Sequence, residues 1–135
     1  METAHGAAPT GAPDPRPALA IAHVVLPTDR MAESAAFLRT IGMRPVHDGA
    51  KVSIFELRGG THVILMQAEE VVPGDAPFDL MVDDLEATHA RFAALGLAPS
   101  AIEALPRIDH RVFHLREPAG HVLTFYSSHA SGRPT

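Results

Sequence analysis

The sequence predicts an α+β fold made of two tandem βαβββ modules that join into a cupped mixed sheet with the helices outside. Three observations predict it. The order strand, helix, three strands can be read twice along the chain. Sliding one half over the other by 54 positions brings Gly42 onto Gly96, Met43 onto Leu97, Pro45 onto Pro99 and Ser34 onto Thr88. Past the helices the offset grows to 60, where Gly60 meets Gly120, so the insertion falls in the loops between. Finally, neither module can bury both its helix and its sheet alone, whereas two together form a cup that both halves line.

Module one begins with "ALAIAHVVL", β-branched and apolar without a breaker, which predicts a strand. "TDRMAESAAFLRTIG" follows, with Met31, Ala35 and Leu38 spaced as the buried stripe of a helix. Asp29 is the expected N-cap and Gly42 the left-handed stop. Strands are expected over "MRPVHD", "KVSIFELR" and "THVILMQ", separated by "DGA" and "RGG", which are hairpin sequences. In module two "FDLMV" is a strand and "DDLEATHARFAALG" a helix. There Asp83 with Glu86 reads as a capping box, and Gly96 as the stop. Leu85, His89 and Phe92 form the inner stripe, which makes His89 a packing residue. Strands are then expected over "LAPSAIE", "HRVFHLRE" and "HVLTFYSS", the last two divided at "PAG".

The chain has 135 residues, enough for one domain, assigned to residues 18–129 with modules at 18–67 and 76–129. "METAHGAAPTGAPDPRP" (residues 1–17) is rich in Ala, Gly and Pro and reads as a flexible tail, as do residues 130–135. The net charge of −5 and a single lysine, Lys51, leave no basic face for nucleic acid. The absence of cysteine excludes disulfides, thiolate nucleophiles and sulfur-ligated metals. No apolar run approaches the ~18 residues of a membrane span, and no secretory signal is recognisable, so no membrane association and a cytoplasmic location are expected.

The stretches "HVVLPTDRMAESAAFLRTIGM", "FDLMVDDLEATHARFAALGL" and "REPAGHVLTFY" resemble the vicinal oxygen chelate superfamily. That group includes glyoxalase I, extradiol dioxygenases, fosfomycin-resistance enzymes and bleomycin-resistance proteins. The most specific pieces are a strand histidine before a helix ending in Ile/Leu-Gly, and the Glu-Pro-x-Gly turn before the last strand. The resemblance implies the paired-module fold, a homodimer, and, in members that use a metal, ligands on the first and last strand of each module. Those four positions fall here on His23, Ile64, Pro77 and Thr124. Only His23 is a good donor, and one imidazole does not hold a divalent ion against water.

Strand parity adds His62, Asp79 and Tyr126 to the face carried by those positions. The ligand-contact set is therefore His23, His62, Asp79, Thr124 and Tyr126. His23 reads either as a ligand contact or as a core histidine bonded to a carbonyl, and His62 as a contact or an exposed strand start. Asp79, a carboxylate among apolar neighbours, needs a partner or water. A histidine–aspartate pair poised for proton transfer is also open. His110, His114 and His121 read as solvated or edge positions, and Arg107 and Arg111 as rim or ordinary surface arginines.

Two functions follow as expectations. In one, a glyoxalase/bleomycin-resistance-like protein binds a small, partly apolar organic molecule in the cup without the usual metal site. In the other, a lyase, isomerase or dioxygenase uses Ni, Zn, Mn or Fe on a shifted ligand set of His23, His62 and Asp79.

Overall fold

The structure, a computed structural model, describes residues 13–128. The expected C-terminal tail and residues 1–12 of the N-terminal one lie outside the described residues. Residues 13–17 are exposed and without regular structure, with Arg16 folded back onto the Asp14 carboxylate.

The first module comprises β1 (His23–Thr28), α1 (Met31–Thr40), β2 (Arg44–Asp48), β3 (Val52–Glu56) and β4 (His62–Gln67). Its four-stranded sheet has the order β1-β4-β3-β2, with β1 parallel to β4 and the other pairs antiparallel. Proline cannot donate to a ladder, and Pro27 and Pro45 sit on the two edge strands, where the missing N–H is tolerated. The second module comprises β5 (Gly74–Asp75), β6 (Leu80–Val82), α2 (Leu85–Ala94), β7 (Glu103–Leu105), β8 (His110–Arg116) and β9 (His121–Ser127). β5 and β6 lie in succession, both parallel to β9, and β8 and β7 follow antiparallel. Each module thus repeats one order: first strand, last strand, middle strand, edge.

Alternation sets which face packs on the helix. Leu26, Thr28, Phe55, Val63 and Leu65 are buried toward α1, while His23 and Val25 are exposed on the other face. In the second sheet Phe113, Leu115, Leu123 and Phe125 are buried toward α2. Phe113 stacks on Phe125 at 4.9 Å, and Phe92 of α2 meets both rings edge-on at 6.0 and 5.3 Å. The buried residues of both modules form one continuous cluster. No helix among the described residues is long and apolar enough to cross a membrane.

The structure corrects several sequence expectations. β1 begins at His23 rather than Ala18, although Ala22 already accepts the His62 N–H at 3.0 Å. The N-cap of α1 is Arg30, with no side-chain cap: Asp29 turns to the Arg30 guanidinium, and Thr28 Oγ1 accepts the Arg30 N–H. The cap of α2 is Asp84, which accepts from Ala87 N at 2.9 Å, whereas Asp83 is drawn away by Arg58. The strand expected over 97–103 is reduced to β7, because Ala98 takes a left-handed turn at φ 56° and Ser100 joins His114 through its side chain. The helix stops hold: Gly42 and Gly96 have φ of 115° and 78°.

Candidate functional site

The two modules meet at two junctions that the internal repeat makes equivalent. At each, the end of a first strand and the start of its helix face the turn leading into the other module's last strand.

One junction is a closed polar clasp. Ser34 Oγ donates to Glu117 Oε2 at 2.9 Å and lies 2.7 Å from Thr28 Oγ1. Glu117 Oε1 accepts the His121 N–H, and the His121 ring reaches across to the Pro27 carbonyl at 2.7 Å through Nε2, which carries the proton. Glu117 is 1% exposed and His121 5%. His121 is therefore not the solvated or edge residue expected from sequence; it is buried between modules. Arg30, whose pKa is raised chiefly by its bond to Asp29, also feels the Glu117 charge.

The other junction is open. The repeat replaces Glu117 by Leu57, His121 by Thr61, Thr28 by Val82 and Pro27 by Met81. Shorter or apolar side chains leave the space that the clasp fills, and a cleft of about 820 Å³ lies there. Its walls are apolar, with Val24, Val63, Phe78, Leu80, Met81 and Val82. Its polar groups are Thr61, Asp79 and the exposed Arg58–Asp83 ion pair at 2.8 Å. Thr61 Oγ1 is engaged by the Ile21 carbonyl at 2.9 Å, whereas Asp79 is exposed beside Pro77. A second cavity of about 150 Å³ adjoins, reaching Ile41, Met43 and Phe125.

Of the five expected contact residues, Asp79 lines this cleft and the other four do not. His23 and His62 are direct partners across β1 and β4, on the face turned from α1. His62 is also opposite Glu56, and Glu56 opposite Arg44, so one row of polar side chains crosses the whole first sheet. The Arg44 guanidinium, hydrogen-bonded to Glu56, holds that carboxyl below its ordinary pKa against the opposing effect of desolvation, with small help from His62. His23 is exposed, which excludes the core-histidine reading. Thr124 and Tyr126 lie on the face of the second sheet turned from α2. There Thr124 Oγ1 is 2.9 Å from His114 Nδ1, and Tyr126 meets the His110 ring edge-on at 5.1 Å. His89 packs as expected, edge-on to Phe113, with Nε2 at 2.8 Å from the Ser100 carbonyl. Arg111 faces Glu86 at 3.5 Å.

The sequence reading missed Arg58, Glu56 and the Glu117–His121 clasp. The offset of 60 carried the signal for the last, since it lays Glu117 on Leu57 and His121 on Thr61.

The superfamily model, Glyoxalase/Bleomycin resistance protein/Dioxygenase superfamily, matches residues 20–125. The chain belongs to that superfamily. Among solved structures it is similar to a lactoylglutathione lyase from Agrobacterium tumefaciens. That pair shares 21% identity and a TM-score of 0.72, covering 87% of this chain and 99% of that one. It is also similar to a bleomycin resistance determinant encoded on the transposon Tn5, with 18% identity, a TM-score of 0.68, and 82% and 99% coverage. A bleomycin-binding protein complexed with bleomycin matches with 18% identity, a TM-score of 0.65, and 81% and 98% coverage. At these identities the likeness establishes the fold. No curated protein matches at the sequence level.

The superfamily's divalent-metal site does not fit these residues. The four positions that the resemblance assigns to its ligands carry one imidazole, a hydroxyl and two side chains without donors, namely His23, Thr124, Ile64 and Pro77. Among the described residues no three His, Asp or Glu side chains are grouped so as to hold a metal ion, so His23, His62 and Asp79 are not brought together as one.

Proposed function

We propose that this member of the superfamily binds a small, partly apolar organic molecule, without the superfamily's metal site, and works as a homodimer in the cytoplasm. The observation that carries the reading is the open junction: an apolar cleft of drug-like volume with a few polar groups at one side. Asp79 is its anchor for a donor or cationic group, and Arg58 offers a counter-charge. His23 with His62, and Thr124 with Tyr126, extend the contact surface on the two sheet faces. The dimer is supported by the apolar residues those faces leave exposed, Val25, Met66 and Met81, and by free edges at β1 and β6. Bleomycin bound to a similar structure makes bleomycin a sensible member of the ligand panel.

A thermal-shift screen of aromatic metabolites and antibiotics tests the reading, because a ligand that binds only the folded state raises its melting temperature in a saturable way. Phe78→Ala and Asp79→Ala are expected to weaken the response at least tenfold in apparent affinity. Unchanged responses in both variants place binding elsewhere. The metal-dependent alternative stands on the same protein: elemental analysis showing stoichiometric Ni, Zn, Mn or Fe that is lost in His23→Ala overturns the metal-free reading.

A further inference from the structure

The open junction carries a charge imbalance as well as a volume. Much of its wall comes from the sheet face that packs on the helices. Val24 pairs with Val63, at positions between the outward His23 and Val25, and Leu80 pairs with the buried Phe125. Of the four positions that the resemblance assigns to metal ligands, only Pro77, which has no donor, borders the cleft. His23, His62 and Thr124 are not among its lining residues.

The polar side chains of the cleft are Arg58, Thr61, Asp79 and Asp83. Two of the charged ones cancel, because Arg58 Nη1 donates to Asp83 Oδ2 at 2.8 Å. The Thr61 hydroxyl donates to the Ile21 carbonyl at 2.9 Å, so only its lone pairs remain. Asp79 has no hydrogen bond or ion pair among the described residues. One negative charge is therefore left over. The exposed Asp75 and Asp84, on either side of the 77–83 wall, add charges of the same sign, and no lysine or histidine lines the cleft. A carboxylate or phosphate entering there meets like charge, whereas a cation meets an uncompensated carboxylate.

We infer that the cleft selects an organic cation, a small molecule with an aryl or hydrocarbon body and one alkylammonium head. The body lies against Val24, Val63, Leu80 and Val82, and the head against the Asp79 carboxylate. Phe78, next to Asp79 in the same wall, adds an aromatic ring, a surface that attracts alkylammonium groups. The Arg58–Asp83 pair sets the limit on charge. By neutralising the second carboxylate, Arg58 leaves the cleft suited to one positive charge rather than two. The inference rests on the small-molecule reading and names the charge of the ligand.

The test compares three probes with one hydrocarbon body: phenylbutyltrimethylammonium, phenylbutanol and phenylbutyrate. Each is titrated calorimetrically into the full-length protein at neutral pH and low salt. The cation is expected to bind about tenfold tighter than the alcohol, as one opposite charge at short range in a half-solvated site provides, and the carboxylate weakest. Raising the salt to about 0.5 M is expected to shrink the cation's advantage and leave the alcohol unaffected. Asp79→Asn, at an exposed position, is expected to bring the cation down to the alcohol's affinity at an unchanged melting temperature. Arg58→Gln releases Asp83 and is expected to tighten the cation about threefold. Equal affinities for cation and alcohol overturn the inference while leaving the small-molecule reading intact. Tightest binding of phenylbutyrate overturns it too and makes Arg58 the anchor, as does a cation affinity that Asp79→Asn does not move place the anchor elsewhere. Binding of none of the three overturns it, and a wider panel of metabolites and antibiotics that also stabilises nothing strikes the small-molecule reading itself.

Discussion

At the scale of single residues, two side chains in equivalent places of the repeat behave differently because of what each can reach. Ser34 Oγ crosses to the other module and donates to the buried Glu117 carboxylate. Thr88 Oγ1, its counterpart, bonds back to the Asp84 carbonyl of its own helix at 2.8 Å. Removing the first leaves a buried carboxylate oxygen without its hydroxyl, so Ser34→Ala is expected to cost about 1–3 kcal/mol in urea unfolding. Thr88→Ala removes a local, exposed bond and is expected to cost less than about 1 kcal/mol. Equal costs would show that the clasp does not form in solution. The row across the first sheet offers a second check. Because Arg44 lowers the Glu56 pKa, that contact contributes stability above the carboxyl's unfolded pKa, and loses it as pH falls through the folded one. Arg44→Gln is expected to bring the Glu56 titration back toward its ordinary value, read by the NMR shift of the side-chain carboxyl carbon. An unmoved midpoint would mean that the pair is not populated. Sequence aligned Ser34 with Thr88 and put His23 and His62 on one face; their direct pairing came from the structure. Sequence did not show Glu117, Glu56 or Arg44 as their partners, because those contacts depend on how strands and modules come together.

At the scale of elements, signals that act locally were legible and those set by a partner were not. The glycine stops needed only the freedom of glycine, and Gly42, Gly60, Gly96 and Gly120 all take positive φ. The buried stripes of α1 and α2 followed from helical spacing alone. Helix starts were off by one residue, since each acidic candidate had a competing arginine nearby. Asp29 and Asp83 went to Arg30 and Arg58, leaving Asp84 as the side chain that caps. The caps give a prediction at this scale. Asp84→Ala is expected to lower stability by about 1 kcal/mol, while Asp29→Ala stays within about 0.5 kcal/mol. Denaturant midpoints at constant slope read the difference, and a larger loss in Asp29→Ala would reverse the assignment. Strand ends were the least legible. Residues 97–102 have strand-like composition, yet the Ser100 side chain occupies the His114 N–H that a regular ladder would use. β5 exists only because Gly74 and Asp75 meet β9.

At the scale of the whole molecule, the paired-module fold was readable because a repeat constrains two halves at once. The cleft was not, because it arises from a difference between the halves. Where one junction has Glu117 and His121, the other has Leu57 and Thr61, and no single stretch of sequence displays that contrast as a space. The same halves nonetheless share one core. The buried cluster runs from Leu26 and Phe37 in the first module to Phe113 and Phe125 in the second. Phe125 borders the small cavity beside Ile41 and Met43, so it packs where the modules join. A shared core makes the modules one cooperative unit rather than two that melt in turn. Phe125→Ala is expected to cost about 3–5 kcal/mol, the range for an aromatic removed from a packed core. The informative readout is where that loss appears. Hydrogen exchange under conditions that report opening free energies should show the slowest amides of α1 and of α2 falling by the same amount. If only α2 loses protection, the core is divided at the junction, and the cleft then separates two independently stable halves.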